Sequence, residues 1–324
     1  MGYKIGIDVG GTNIVCGVID GDGRLIGKLK RPTESRRGFA AVIDRIAAMV
    51  SEVLDAHGIA RTDVEAIGAG IPGFVDPLQG VVRKAGNLGW DDAPVAEALG
   101  VKTGLPVFID NDVRMYVFGE AMCGAGRGFD VVLGLTVGTG MAAAVVDHGR
   151  LYYGGGFMAG ELGHIRMEGI DYACGCGMTG CLETVVSATG IARLGREKAA
   201  AGATVLADWF GGKPDELTAA DVSRAYDLGD AAAIEVMDKV GTMLGRGLSY
   251  ATTLFSPDVI VIGGGAAQAG ERLLQPMREE LRRLVHPMYW ERLAIRTAEL
   301  ADDAGVIGSA TYAADRLAQK RMSG

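Results

Sequence analysis

The chain has 324 residues, a formal net charge of −8, and is 48% hydrophobic and 22% charged. That length holds one large domain or two moderate ones with ample core. An acidic balance with no long basic run excludes nucleic acid as the main partner. The longest uncharged run, residues 131–146, is too short for a membrane span and is broken by Gly138-Thr139-Gly140.

The start carries no charged-then-apolar leader and reads directly as a strand, and a myristoylation pattern fails at Gly6. Together with unpaired-looking Cys16 and Cys123, expected to be buried thiols, this predicts a soluble cytoplasmic protein. In chain order, residues 3–8 alternate as a strand up to Gly10-Gly11-Thr12. Residues 14–19 form the returning strand, and the turn Asp20–Gly23 leads to a third. Apolar residues at helical spacing (Val42, Ile43, Ile46, Met49, Val50, Val53) predict a helix over 39–54. A buried strand over 64–71, a short helix over 94–99 and a strand over 107–109 follow, and then a helix from Asn111-Asp112 to about 122.

The second half repeats the opening grammar: strand 131–137, turn Gly138-Thr139-Gly140, strand 141–146. Helices are predicted over 185–201, 219–227 and 231–254. The remaining elements are an apolar strand over 258–262 ending in Gly263-Gly264-Gly265, a helix over 271–284, a strand over 293–297 and a last helix over 306–317. Two such starts, each with a glycine turn after its first strand, predict a duplicated two-lobe α/β architecture with a cleft between the lobes.

The densest chemistry lies in Glu161-Leu162-Gly163-His164 and in the run from Cys174 through Cys176 and Cys181 to Glu183. Three of the five cysteines fall within eight residues, ten positions after a histidine. Thiolates and imidazole are the donors Zn²⁺ prefers, and four of them, His164, Cys174, Cys176 and Cys181, complete a tetrahedron. With no position left for water, the predicted zinc is structural. Gly175, Gly177 and Gly180 are expected to let the loop fold tightly.

Glycine is frequent, 51 residues in all, well above the usual share of about 7%. Three glycine turns follow apolar strands: Gly10-Gly11-Thr12, Gly138-Thr139-Gly140 and Gly263-Gly264-Gly265. Backbone N–H groups and threonine hydroxyls there suit phosphate oxygens, and Asp8 suits Mg²⁺ held through water. Gly-rich hairpins also occur without ligands, so each turn alone is weak. No P-loop motif is present, and Gln268 stands where a dinucleotide fingerprint needs its third glycine. Taken in order, the three turns resemble the actin-like ATPase fold of sugar kinases, heat-shock chaperones and actin.

An aspartate between strand and helix ordinarily serves as a helix cap. Asp112 stands midway between the first two glycine turns, where a carboxylate suits the proton of a sugar hydroxyl attacking a γ-phosphate. With these residues assembled, the chain resembles the ROK family of bacterial sugar kinases and sugar-responsive repressors, nearly end to end. E-x-G-H followed by C-x-C-G-x-x-G-C-x-E is the most specific match. Pro72-Gly73, Gly86-Asn87-Leu88-Gly89-Trp90 and Asn111-Asp112 support it.

The resemblance implies a two-lobe, ribonuclease H-like fold with an interlobe active-site cleft and a structural zinc loop. The small lobe would comprise 1–117 plus about 305–324, and the large lobe 118–304. It implies Asp112 as catalytic base, with Gly73, Asn87, Asn111, Glu161, His164 and Glu183 around the sugar. Gly10, Gly11, Thr12, Gly138, Thr139 and Gly140 would hold the phosphates, and Gly263, Gly264 and Gly265 the adenosine. MgATP, zinc and a homo-oligomer, dimer or tetramer, complete the implied picture. The activity implied is transfer of phosphate from ATP to a hexose, foremost the 6-hydroxyl of glucose. N-acetylmannosamine or N-acetylglucosamine is the alternative acceptor. A sugar-responsive repressor is disfavoured because Asp8 leaves no room ahead of it for a helix-turn-helix. The chain departs from the family's usual E-N-D-A-N at Asp110 and Arg114, from a glycine run at 141–144, and from a polar residue at Gly89.

Overall fold

The computed structural model describes residues 2–202 and 204–323. In chain order the first elements are β1 (Tyr3–Val9), β2 (Asn13–Ile19), β3 (Leu25–Pro32), α1 (Phe39–Ala56), β4 (Val64–Ile71), β5 (Phe74–Asp76), β6 (Val81–Ala85), β7 (Trp90–Ala93), α2 (Val95–Thr103), β8 (Val107–Asn111) and α3 (Asp112–Cys123). Next come β9 (Val131–Val137), β10 (Met141–Asp147), β11 (Arg150–Leu151), α4 (Glu183–Val186), α5 (Ala188–Ala201), α6 (Val205–Phe210), α7 (Ala219–Asp227) and α8 (Ala231–Phe255). The last are β12 (Val259–Gly263), α9 (Glu271–Leu284), α10 (Pro287–Trp290), β13 (Ala294–Thr297) and α11 (Ala304–Ser323). Among the described residues no helix is long and apolar enough to cross a membrane.

Contacts divide the chain into two compact units. Met1–Asp130, Ala144–Ala159 and Ala298–Gly324 form the first; Val131–Ala143 and Gly160–Thr297 form the second. Compared with the predicted lobes, the first unit also takes 118–130, 144–159 and 298–304. Side-chain chemistry accounts for part of this. Glu120, fully buried on α3, accepts hydrogen bonds from the backbone N–H of Ala125 (3.0 Å), Glu299 (3.0 Å) and Leu300 (2.7 Å). These bonds satisfy a buried carboxylate, which burial otherwise makes costly, and they draw both segments onto α3.

In the first unit the sheet order is β3-β2-β1-β4-β8, antiparallel through β1–β3 and parallel from β1 to β8. One face packs Ile5, Ile7 and Ile67 with Val42, Ile43, Ile46, Met49 and Val50 of α1, which confirms the predicted apolar stripe. The other face is lined by glycine. Gly6 pairs with Gly17 on β2 and with Gly68 on β4, forming a row across three strands. A Cβ on Gly6 would lie 1.9 Å from the Val306 carbonyl oxygen, and one on Gly68 1.8 Å from that of Ser309. The missing side chains are what lets the backbone of α11 lie directly on the sheet.

In the second unit β9, β12 and β13 run parallel. β12 lies between β9 and β13. A small antiparallel sheet, β5-β6-β7, was not predicted. The helix predicted over 185–201 is two helices, because Ser187 is extended and caps α5 by accepting from the Gly190 N–H at 3.1 Å.

Candidate active site and metal centre

The first glycine turn joins β1 to β2. The Gly10 N–H donates to the Asn13 carbonyl (2.8 Å), and buried Thr33 donates its hydroxyl to the Gly10 carbonyl (2.6 Å). Gly11 and Thr12 remain exposed at the tip. Asn87 lies beside them on the turn between β6 and β7; a Cβ on Gly11 would sit 3.4 Å from that of Asn87.

Asp8 stands between buried Ile7 and Val9 on β1 and is backed by the first turn of α11, where a Cβ on Gly305 would lie 3.0 Å from its Oδ2. Burial, and after it the charge of Asp112, push the Asp8 carboxyl up to about 7. Its carboxylate accepts no hydrogen bond among the described residues. A crowded, unpaired oxygen donor beside a phosphate-type turn fits Mg²⁺, which prefers carboxylate and phosphate oxygens.

Asp112 is the first residue of α3, and the cap is its neighbour. Asn111 Oδ1 accepts from the N–H groups of Val113 (3.0 Å) and Arg114 (3.2 Å), while Asn111 Nδ2 donates to the Gly73 carbonyl (3.1 Å). Gly73 has φ 100°, and a Cβ there would meet the Lys84 carbonyl oxygen at 2.1 Å, so only glycine fits. The Asp112 carboxylate accepts from the Val113 N–H at 2.9 Å. Burial pushes its carboxyl up to about 6, against hydrogen bonds from the Val113 N–H, its own N–H and the Asn111 side chain. A group with this pKa is ionised at neutral pH yet basic enough to take a proton.

In the second unit, Gly138-Thr139-Gly140 closes the β9–β10 hairpin with a Gly138 N–H to Gly140 carbonyl bond of 2.9 Å. The start of α5 holds the turn: the Ala188 N–H donates to the Gly138 carbonyl (2.8 Å) and the Thr189 hydroxyl to the Thr139 carbonyl (3.0 Å). Gly264, φ 86°, packs on β9, where a Cβ would lie 2.6 Å from the Val137 carbonyl oxygen. The second and third glycine turns therefore converge at one end of this sheet.

His164, Cys174, Cys176 and Cys181 bring four ligand atoms within 4.8 Å of one another. Cys174 Sγ is 3.7 Å from His164 Nδ1, and Cys176 Sγ is 3.6 Å from Cys181 Sγ. A zinc tetrahedron with bonds of about 2.3 Å places sulfurs about 3.8 Å apart, so donor set and spacing both fit Zn²⁺. Gly177 and Gly180 have φ 91° and 90° and make the bends, whereas Gly175 is not left-handed, contrary to its expected part. Backbone bonds close the loop: Cys174 N–H to Met178 carbonyl (2.8 Å) and Met167 N–H to Gly180 carbonyl (2.9 Å).

Glu161 Oε2 lies 3.7 Å from His164 Nε2, the nitrogen turned away from the sulfurs. Glu183 has three polar neighbours. Its Oε1 is 2.9 Å from Cys174 Sγ and 3.6 Å from His164 Nδ1, and its Oε2 accepts from the Met141 N–H at 3.2 Å, next to the second glycine turn. The cluster, both carboxylates and the second glycine turn are thus one connected assembly.

The sequence model of the ROK family matches residues 4–316, nearly the whole chain. The chain belongs to the ROK family. A glucokinase from Halalkalibacterium halodurans is 38% identical over 94% of this chain and 93% of its own. One from Thermotoga maritima is 36% identical over 97% of this chain and 98% of its own. Among solved structures, a ROK family glucokinase from Streptomyces griseus in complex with glucose and AMPPNP is 33% identical, with a TM-score of 0.80 over 97% of this chain and 100% of that one.

Sequence reading of this ROK chain passed over two groups. Thr33, which fastens the first turn, follows a strand end and carries no motif. Asp110 and Arg114 stood out only as departures, yet they form a buried ion pair at 3.0 Å on either side of Asp112 in the chain.

Proposed function

We propose that this ATP-dependent hexose kinase phosphorylates the 6-hydroxyl of glucose. The observation that carries the reading is Asp112: it opens α3, leaves the capping to Asn111, and has its carboxyl raised to about 6. Phosphoryl transfer asks a protein chiefly for positioning, a base and charge neutralisation, and these residues supply each. Asp112 takes the proton of the attacking hydroxyl. Asn87 and Asn111 bind sugar hydroxyls, with Gly73 leaving room. Glu161, His164 through Nε2, and Glu183 offer further hydroxyl contacts. Gly10, Gly11, Thr12, Gly138, Thr139 and Gly140 present backbone and hydroxyl donors to the phosphates, and Gly263, Gly264 and Gly265 border the adenosine. Mg²⁺, held through water by Asp8, would offset phosphate charge when MgATP is bound. Zn²⁺ would be held by His164, Cys174, Cys176 and Cys181 as a brace for the loop.

The likeness to glucokinases supports glucose as acceptor. The test is ATP turnover with glucose, mannose, allose, fructose, N-acetylglucosamine and N-acetylmannosamine. Glucose is expected to have the highest kcat/KM. A higher value for an N-acetylhexosamine would replace the acceptor but keep the kinase; no turnover of any sugar would reject the reading.

A further inference from the structure

Two residues past Asp112, Arg114 is buried, only 7% exposed. Its Nη1 donates to Asp110 Oδ1 at 3.0 Å, and its Nη2 donates to the carbonyl of Phe157. The guanidinium carbon lies 5.3 Å from the ring centroid of Tyr153. The Tyr153 hydroxyl in turn donates to Asp110 Oδ2 at 2.7 Å and lies 3.2 Å from that of Tyr312. A buried ion pair adds little stability over a well-packed apolar replacement, so the cluster calls for a reason other than stability.

The far end of the cluster supplies one. Phe157 has φ 60°, a left-handed conformation that a side-chain-bearing residue adopts at a cost of about 1 kcal/mol or more. Gly154, Gly156 and Gly160 around it are also at positive φ. Such a backbone persists only where its surroundings over-determine it. Here Arg114 holds the Phe157 carbonyl, and Tyr153 meets the ring edge to face at 5.6 Å. The Ala159 N–H, donating to the Tyr153 carbonyl at 3.0 Å, closes the loop behind them. The chain leaves the first unit after Ala159, and Glu161 follows two residues later.

We propose that Arg114 is a positioning residue for sugar binding: by pinning Phe157 it sets the loop that delivers Glu161, without touching sugar itself. The inference rests on the hexose kinase reading. Arg114→Ala, Arg114→Lys and Tyr153→Phe are compared with wild type in the zinc-loaded protein, on the best sugar substrate. Arg114→Ala is expected to raise sugar KM about tenfold, with kcat within about threefold and ATP KM unchanged. Arg114→Lys, which keeps one donor, should fall between it and wild type. Tyr153→Phe, which frees Asp110, should raise sugar KM about threefold. If Arg114→Ala fails to fold, the other two variants decide. A sugar KM within twofold of wild type in the folded variants overturns the proposal. So does a fall in kcat at constant KM, which would place the arginine's effect on the base. Wild-type protein that turns over no hexose rejects the kinase reading, and this proposal with it.

Discussion

Asn111 and Asp112 show how neighbouring residue types divide two tasks. Either can cap a helix, and the sequence offers no way to choose between them. The structure assigns the cap to Asn111, through bonds to two N–H groups, and Asp112 is the first helical residue after it. Asp112→Asn is nearly isosteric and leaves that cap in place. Turnover is expected to fall about a thousandfold, in the range that loss of a general base produces. Sugar affinity, measured by calorimetry, should stay within about threefold. Turnover close to wild type would remove Asp112 from the base role. Asp112 stood out as a candidate because of its place in the order of motifs; that its neighbour Asn111 makes the cap was not legible.

Among elements, the Cys₃His loop was the easiest to read and α11 among the hardest. A metal-type donor set needs specific residue types at short spacing, so His164, Cys174, Cys176 and Cys181 announce themselves in one dimension. Nothing comparable marks Gly6, Gly17 and Gly68, which lie far apart in sequence and meet only through strand register. The β5-β6-β7 sheet escaped for a related reason: its strands are three to five residues long, too short for period-2 alternation to register. The break at Ser187 escaped because apolar periodicity runs through it. At this scale the prediction concerns Cys176→Ser. One of four donors is lost, so zinc content by atomic spectroscopy should fall towards zero. With the loop loosened, Glu161 and Glu183 lose their brace, and sugar KM should rise at least about tenfold while ATP KM moves little. Zinc loss with unchanged sugar KM would make the loop a fold element only.

For the molecule as a whole, activity and stability should respond to pH in opposite directions. Asp112 must be ionised to accept a proton, so kcat/KM should fall with unit slope below about pH 6, the value to which burial raises it. Asp8 is raised to about 7. Between about pH 4 and 7 the folded chain therefore binds protons that the unfolded chain has shed, and the stability contributed by these groups falls as pH rises. Asp8→Asn removes the buried charge. It should raise the melting temperature by about 5 °C at pH 8 and change it little at pH 5, while turnover is lost. An equal shift at both pH values would show that the carboxylate is not held protonated by its surroundings.

The sequence by itself determined the Cys₃His cluster, the three glycine turns, the order of most strands and helices, and through these the family. Each depends on residue type at short separation, where covalent geometry alone limits the possibilities. Tertiary structure decided the rest: the glycine row beneath α11, the grouping of 118–130, 144–159 and 298–304 with the first unit, the contacts of Glu183 with Cys174, His164 and Met141, and the Asp110–Arg114–Phe157 clamp. These depend on which distant segments meet, and on how burial changes the free energy of a charge or a strained backbone once they do. Arg114 shows the difference: in the sequence it was a departure from a motif, and in the fold it is the group that holds a left-handed phenylalanine in place.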